Sequence, residues 1–150
     1  GCAGEIVEVQ QLEDGRLLIM AVGQERFRIV ALDHSLPYLV GEVEPLPLQF
    51  EPQEDIEYYA NQLTPWLLEY LIFLADLGQV EFDPAQMPEN YEDLVFLASA
   101  AIQIPPEKKQ AILENEKVTS ILRELITVYR EEVILLRLKP KEDQGVFSLN

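Results

Sequence analysis

The sequence predicts an α+β fold, a strand-rich part followed by a helical one, and three observations predict it. Apolar and polar residues alternate through the first third of the chain, with an Asp-Gly pair between two such runs. From residue 52 the apolar residues recur instead at three- and four-residue steps. Between the two styles stand Pro45, Pro47 and Pro52, which a continuing ladder does not tolerate. The expected boundaries are a β-rich lobe at 1–48, a helical lobe at 52–139 and a flexible tail at 140–150.

In the first lobe, Ile6 to Leu12 reads as a strand, and Glu13-Asp14-Gly15-Arg16 as its tight turn. Leu17 to Val22 is a six-residue apolar run, predicted to be a strand buried on both faces, and Gly23 is expected to break it. A further strand is expected over Arg26-Phe27-Arg28-Ile29-Val30. Its alternation puts Phe27 and Ile29 in the core and both arginines outside. Tyr38 to Glu44 is the fourth run, closed by Pro45 and Pro47.

In the second lobe, Pro52 to Leu63 begins helically and Thr64-Pro65 reads as a fresh start, with threonine as N-cap and proline at the first position. Trp66 to Leu77 follows, with Gly78 as its stop. Asn90 is placed to cap a helix from Tyr91 to about Gln103, and Pro105-Pro106 opens a short one, Glu107 to Leu113. Asn115 is expected to cap the longest helix, Glu116 to about Leu138. Val118, Leu122, Leu125, Tyr129, Val133 and Leu136 form one apolar stripe on it, and Arg130, Arg137, Lys139 and Lys141 sit near its negative end.

Charge excludes whole classes of function. The 150 residues carry 27 acidic and 11 basic side chains, a net charge of −16. Nucleic-acid binding draws on lysines and arginines that release phosphate counterions, so neither nucleic acid nor an anionic membrane surface is expected as a partner. The acids concentrate in residues 51–110, which hold 12 against 2 bases. With one cysteine, Cys2, and one histidine, His34, the chain can form no intramolecular disulfide and has no basis for a zinc site. No cofactor or metal is expected, and a reducing, cytoplasmic setting is.

Catalytic motifs are equally sparse. The seven glycines fit neither a phosphate-binding loop nor a dinucleotide fingerprint. His34 adjoins Ser35, but neighbouring strand residues point to opposite faces, so a solvated loop histidine is the simpler reading. Pairs such as Glu54/Asp55 and Glu92/Asp93 read as solvated charges near helix starts, and a carboxylate-based hydrolase survives only as a remainder. Aromatic residues are more telling. Tyr58, Tyr59, Trp66, Tyr70, Phe73 and Leu77 cluster within 20 residues. Packing accounts for most of them, yet Tyr58 and Tyr59 differ by about 100° around a helix, so some side chain must face outward. Tyr58, Tyr59, Trp66 and Tyr70 are therefore the candidate peptide contacts, available to apolar segments of another polypeptide.

Several blocks carry a family likeness: Cys2-Ala3-x-Glu5-Ile6, Leu12-Glu13-Asp14-Gly15-Arg16, Gly23-Gln24-Glu25-Arg26-Phe27-Arg28-Ile29 and Tyr38-Leu39-Val40-Gly41-Glu42-Val43-Glu44-Pro45-Leu46. In order and spacing they resemble the N-terminal, substrate-binding domain of the Lon proteases. Ile104-Pro105-Pro106-Glu107 through Glu114 is similar to that family's segment before its last helix. The resemblance implies a PUA-like β-rich lobe, then a helical bundle ending in one long helix, together one Lon N-terminal-type domain. It implies a role in binding unfolded or tagged proteins, with proteolysis left to a separate ATPase or protease. The family's opening strands precede the point where this sequence starts, so an open sheet edge and self-association are expected. The sequence lacks the Walker A motif and the Ser-Lys dyad of full Lon proteases, and no enzymatic activity is expected. The alternative is an adaptor or scaffold that docks one specific folded partner.

Overall fold

A computed structural model describes residues 1–138, with Gln86 through its backbone only. Lys139, Lys141 and the expected tail at 140–150 lie outside the described residues. The architecture is α+β: an antiparallel three-stranded sheet, then four α-helices. The chain separates into two units, Gly1–Leu48 and the residues from Gln49 onward.

In the first unit, β1 (Cys2–Gln11) and β2 (Leu17–Asp33) form a hairpin, and β3 (Val40–Pro45) pairs with the far half of β2. Gly15 adopts φ +84°, the left-handed conformation that glycine takes without strain, and Asp14 accepts from Arg16 N–H at 3.1 Å to close the turn. Gly23 does not end a strand. β2 runs 17 residues through it, because the irregularity is absorbed by a register shift that leaves Gln24 without an opposite residue on β1. The separate strand expected at 26–30 is thus the second half of β2.

Burial corrects the reading of this lobe further. Leu17, Leu18, Ile19, Met20 and Val22 are 48–60% exposed rather than buried on both faces. Phe27 is only half-buried and Ile29 is 51% exposed, so neither is core; Arg28 is exposed, but Arg26 is half-buried. The reason is the layer count. Within its own unit the sheet is a single layer, with no second layer to cover either face.

The second unit has a dense core. Here α1 (Gln53–Asp76), α2 (Tyr91–Ala101), α3 (Pro106–Leu113) and α4 (Val118–Leu138) are joined by loops, one holding a short 3₁₀ turn at Pro84–Gln86. Pro65 does not restart the helix as expected; α1 passes through it and spans 24 residues, against the 21 described for α4. Leu63 and Leu67, both fully buried, flank the proline, so burial outweighs the hydrogen bond that it cannot donate. Thr64 is not a cap either, since its hydroxyl donates to the Ala60 carbonyl at 2.8 Å inside the helix. Gly78, at φ +67°, ends α1 with its N–H on Ala75 O and the Gln79 N–H on Leu74 O.

Asn90 caps α2 through Oδ1, which accepts from Asp93 N–H at 2.8 Å. Asn115 does not cap α4. It donates to the Ala111 and Ile112 carbonyls at the end of α3, while the Glu51 carboxylate accepts from Thr119 N–H at 2.9 Å and from the Thr119 hydroxyl. The apolar stripe of α4 faces the core, with Val118, Leu122, Leu125, Tyr129 and Val133 fully buried and Leu136 half-buried. Tyr70 and Tyr129 meet edge to face at 5.1 Å and tie three helices together. Tyr129 donates to Ala98 O at 2.7 Å, and the Tyr70 hydroxyl accepts from Gln103 N–H at 3.1 Å. No helix among the described residues is long and apolar enough to cross a membrane.

Candidate polypeptide-binding surfaces

The first surface is the sheet. Directly opposed residues share a face, so the register sorts the β1–β2 hairpin into two. One face carries Leu17, Ile19 and Ala21 opposite Gln11, Val9 and Ile6. The other carries Leu18, Met20 and Val22 opposite Gln10, Glu8 and Glu5. An apolar row thus lies beside a row with two carboxylates, of which Glu5 accepts from the Gln24 amide at 3.0 Å. Sixteen large apolar side chains of this unit are at least 36% exposed, which makes it an unusually apolar surface for so acidic a chain.

The second surface lies on the helical unit. Tyr58 is 63% exposed and stands edge-on to the half-buried Tyr59 at 5.2 Å. Arg123 from α4 covers the Tyr59 ring at 5.8 Å, and Arg137 covers Trp66 at 5.6 Å. Arg137 also grips Glu69 with two bonds of 2.7 and 2.6 Å. That contact holds the Glu69 carboxyl below the usual carboxylate range. Tyr58 is thus exposed, and Tyr59 and Trp66 are half-buried, each under an arginine. Tyr70 does not join them. It is 2% exposed, burial pushes its phenol up, and it packs in the core of the bundle.

A hollow of about 490 Å³ adds a third place, lined by Phe50, Ile56 and Tyr91 and rimmed by Glu51 and Glu92. Another, of about 550 Å³, opens between α3 and α4 beside Lys108 and Arg123. Phe50 and Tyr91 escaped the sequence reading because they are single aromatics in loops or at a helix start, with no periodicity around them. The exposed row Leu18, Met20 and Val22 was visible as an apolar run, but such a run signals burial unless the number of strands is known.

Ser35 donates its hydroxyl to Asp33 at 3.0 Å and its N–H to the same carboxylate at 2.8 Å, a local turn that gives His34 no hold on the serine. The Ser35 bonds, the backbone one first, keep the Asp33 carboxyl low. Among the described residues no group of three or more histidine, cysteine or carboxylate side chains could hold a metal ion.

The model of the ATP-dependent protease La (Lon) substrate-binding domain matches residues 1–129. The chain belongs to this family. Relatives include Lon protease 2 of Myxococcus xanthus, 22% identical over 97% of the chain and 18% of that protein. Lon protease 1 of Hydrogenovibrio crunogenus is 24% identical over 96% of the chain and 19% of its own length. A Lon protease of Paraburkholderia phytofirmans is 28% identical over 84% and 16%. The chain thus spans less than a fifth of the relatives it matches, and what it shares with them is the Lon substrate-recognition domain.

Proposed function

We propose that this Lon-type domain is a non-catalytic polypeptide-recognition module that binds unfolded or tagged proteins in the cytoplasm, with unfolding and cleavage carried out by an ATPase and a protease that lie outside these 150 residues. The observation that carries the reading is the exposure of sixteen large apolar side chains on the Gly1–Leu48 unit. Water penalises such a surface by about 25 cal/mol per Å², and an unfolded segment has apolar groups to cover it. The net charge of −16 favours basic clients. Family membership supplies the second support.

The test is binding of a reduced, carboxamidomethylated lysozyme, a basic unfolded chain, against its native form at several salt concentrations, alongside assays of ATP hydrolysis and of cleavage of the unfolded substrate. Binding of the unfolded form only, with neither activity above buffer, is the expected result. Tight capture of one folded protein, with no affinity for unfolded chains, would replace this reading by that of an adaptor. Turnover of either substrate in protease-free material would end the non-enzyme reading.

A further inference from the structure

Charge is distributed unevenly over the helical unit, and it reverses at one hollow. No lysine or arginine occurs between Arg28 and Lys108, so every charged side chain on α1 and α2 is a carboxylate. Among the described residues, the cations of this unit are confined to α3, α4 and the turn between them. The hollow of about 550 Å³ brings two of them to one opening, Lys108 from α3 and Arg123 from α4. Its lining belongs to these two helices and their turn, so the hollow is made by the helical unit itself. Ile112, buried, and Val128, half-buried, give it an apolar wall, and Ser120 adds a hydroxyl. Of the described lining residues only Glu124 is a carboxylate, and the Asn115 amide donates to it at 3.2 Å. No carboxylate among the described residues is paired with Lys108 or Arg123.

Arg123 also joins this hollow to the aromatic residues of α1. Its guanidinium stands over the Tyr59 ring at 5.8 Å, and that ring meets the exposed Tyr58 at 5.2 Å. Two short steps thus lead from an exposed ring to a cation at the hollow, a distance that about three residues of extended chain cover at about 3.3 Å each. Resting on the polypeptide-recognition reading, we infer that the hollow between α3 and α4 takes the side-chain carboxylate of an aspartate or glutamate in a bound polypeptide, with an apolar side chain about three residues away packed on Tyr58. The two cations attract the carboxylate, and the apolar wall keeps water from part of the contact, which strengthens it. The carboxylate has to be an isolated one. The same helices carry Glu107, Glu131 and Glu132, and the net charge of −16 repels an acidic run as a whole. A lone carboxylate in a neutral or basic segment keeps the local pairing without that repulsion.

The test uses the whole chain and labelled dodecapeptides, blocked at both ends, in fluorescence anisotropy. One peptide carries a leucine three residues from a single glutamate in a background of alanine, glycine and lysine. A second has glutamine in place of the glutamate, and a third has four glutamates in succession. The glutamate peptide is expected to bind about tenfold more tightly than the glutamine peptide at low salt, as two partly exposed ion pairs allow, and to lose that margin as salt rises. The four-glutamate peptide should bind more weakly than the single-glutamate one. Lys108→Gln with Arg123→Gln should abolish the margin. Lys117→Gln with Arg130→Gln takes two charges from outside the lining and should preserve it, with circular dichroism checking that both double variants are folded. Without any variant, the glutamate peptide should slow amide exchange within residues 108–128. Equal binding of the glutamate and glutamine peptides, an equal loss in both double variants, tightest binding of the four-glutamate peptide, or protection confined to other elements overturns the inference. If unfolded lysozyme binds while glutamate gives no margin, recognition stands and the hollow assignment falls. If the margin appears and unfolded lysozyme does not bind, the hollow assignment stands and the broader reading falls.

Discussion

Replacing Tyr129 by phenylalanine removes one oxygen from the centre of the helical unit and should leave the packing intact. The ring keeps its edge-to-face contact with Tyr70, while the 2.7 Å bond to Ala98 O disappears. That carbonyl retains only the longer bond from Ile102 N–H at 3.4 Å. The expected cost near neutrality is about 1 kcal/mol, or about 4–8 °C in melting temperature for a unit of this size. The pH dependence is more diagnostic. Burial pushes the Tyr129 phenol far above its ordinary value, and Tyr70 is raised in the same way. A raised phenol contributes stability that is complete below the unfolded value of about 10 and is lost as pH climbs from there toward the native one. Each such group costs about 1.4 kcal/mol per pH unit in that window. Tyr129→Phe has one such group fewer, so its deficit should vanish about one unit above the phenol's unfolded value, with the stability curves crossing near pH 11. Urea titrations followed by circular dichroism at several alkaline pH values measure this. Curves that stay parallel through the alkaline range, or a neutral deficit above about 3 kcal/mol, would refute the account.

Other outcomes follow from the same geometry. Glu51→Ala should destabilise the helical unit by about 0.5–2 kcal/mol, the loss of an N-cap, and a urea midpoint unchanged from the parent would show that Thr119 is capped by water instead. Glu69→Gln should flatten the acid limb of the stability curve. The Arg137 contact lowers the Glu69 carboxyl, so its contribution is present above the unfolded value of about 4.3 and disappears as pH falls through the lower native one. Identical acid limbs in thermal melts would contradict that. Tyr58→Ala should keep the parent's stability and, if the aromatic surface takes part in binding, weaken an unfolded client about tenfold or more. Tyr70→Ala should instead cost about 3–5 kcal/mol of stability, so calorimetry separates surface from core.

The sequence by itself determined the local events. Asp14-Gly15 made the hairpin, Asn90 capped α2, Gly78 ended α1, and the stripe from Val118 to Val133 turned inward, each through interactions within a few residues. Tertiary structure decided what local pattern could not. Pro65 stays inside α1 because Leu63 and Leu67 are both buried against neighbours that no window around the proline includes. Glu51 caps α4 from 68 residues away, so Asn115 is left to close α3. Tyr58 and Tyr70 look alike in sequence, but only their helical phase against α2 and α4 makes one a surface and the other a core residue. The largest difference is Leu17 to Val22, where a fully apolar run lies exposed on a three-stranded sheet. Hydrophobicity measures how strongly a segment favours burial; whether it is buried depends on how many layers and strands are there to cover it.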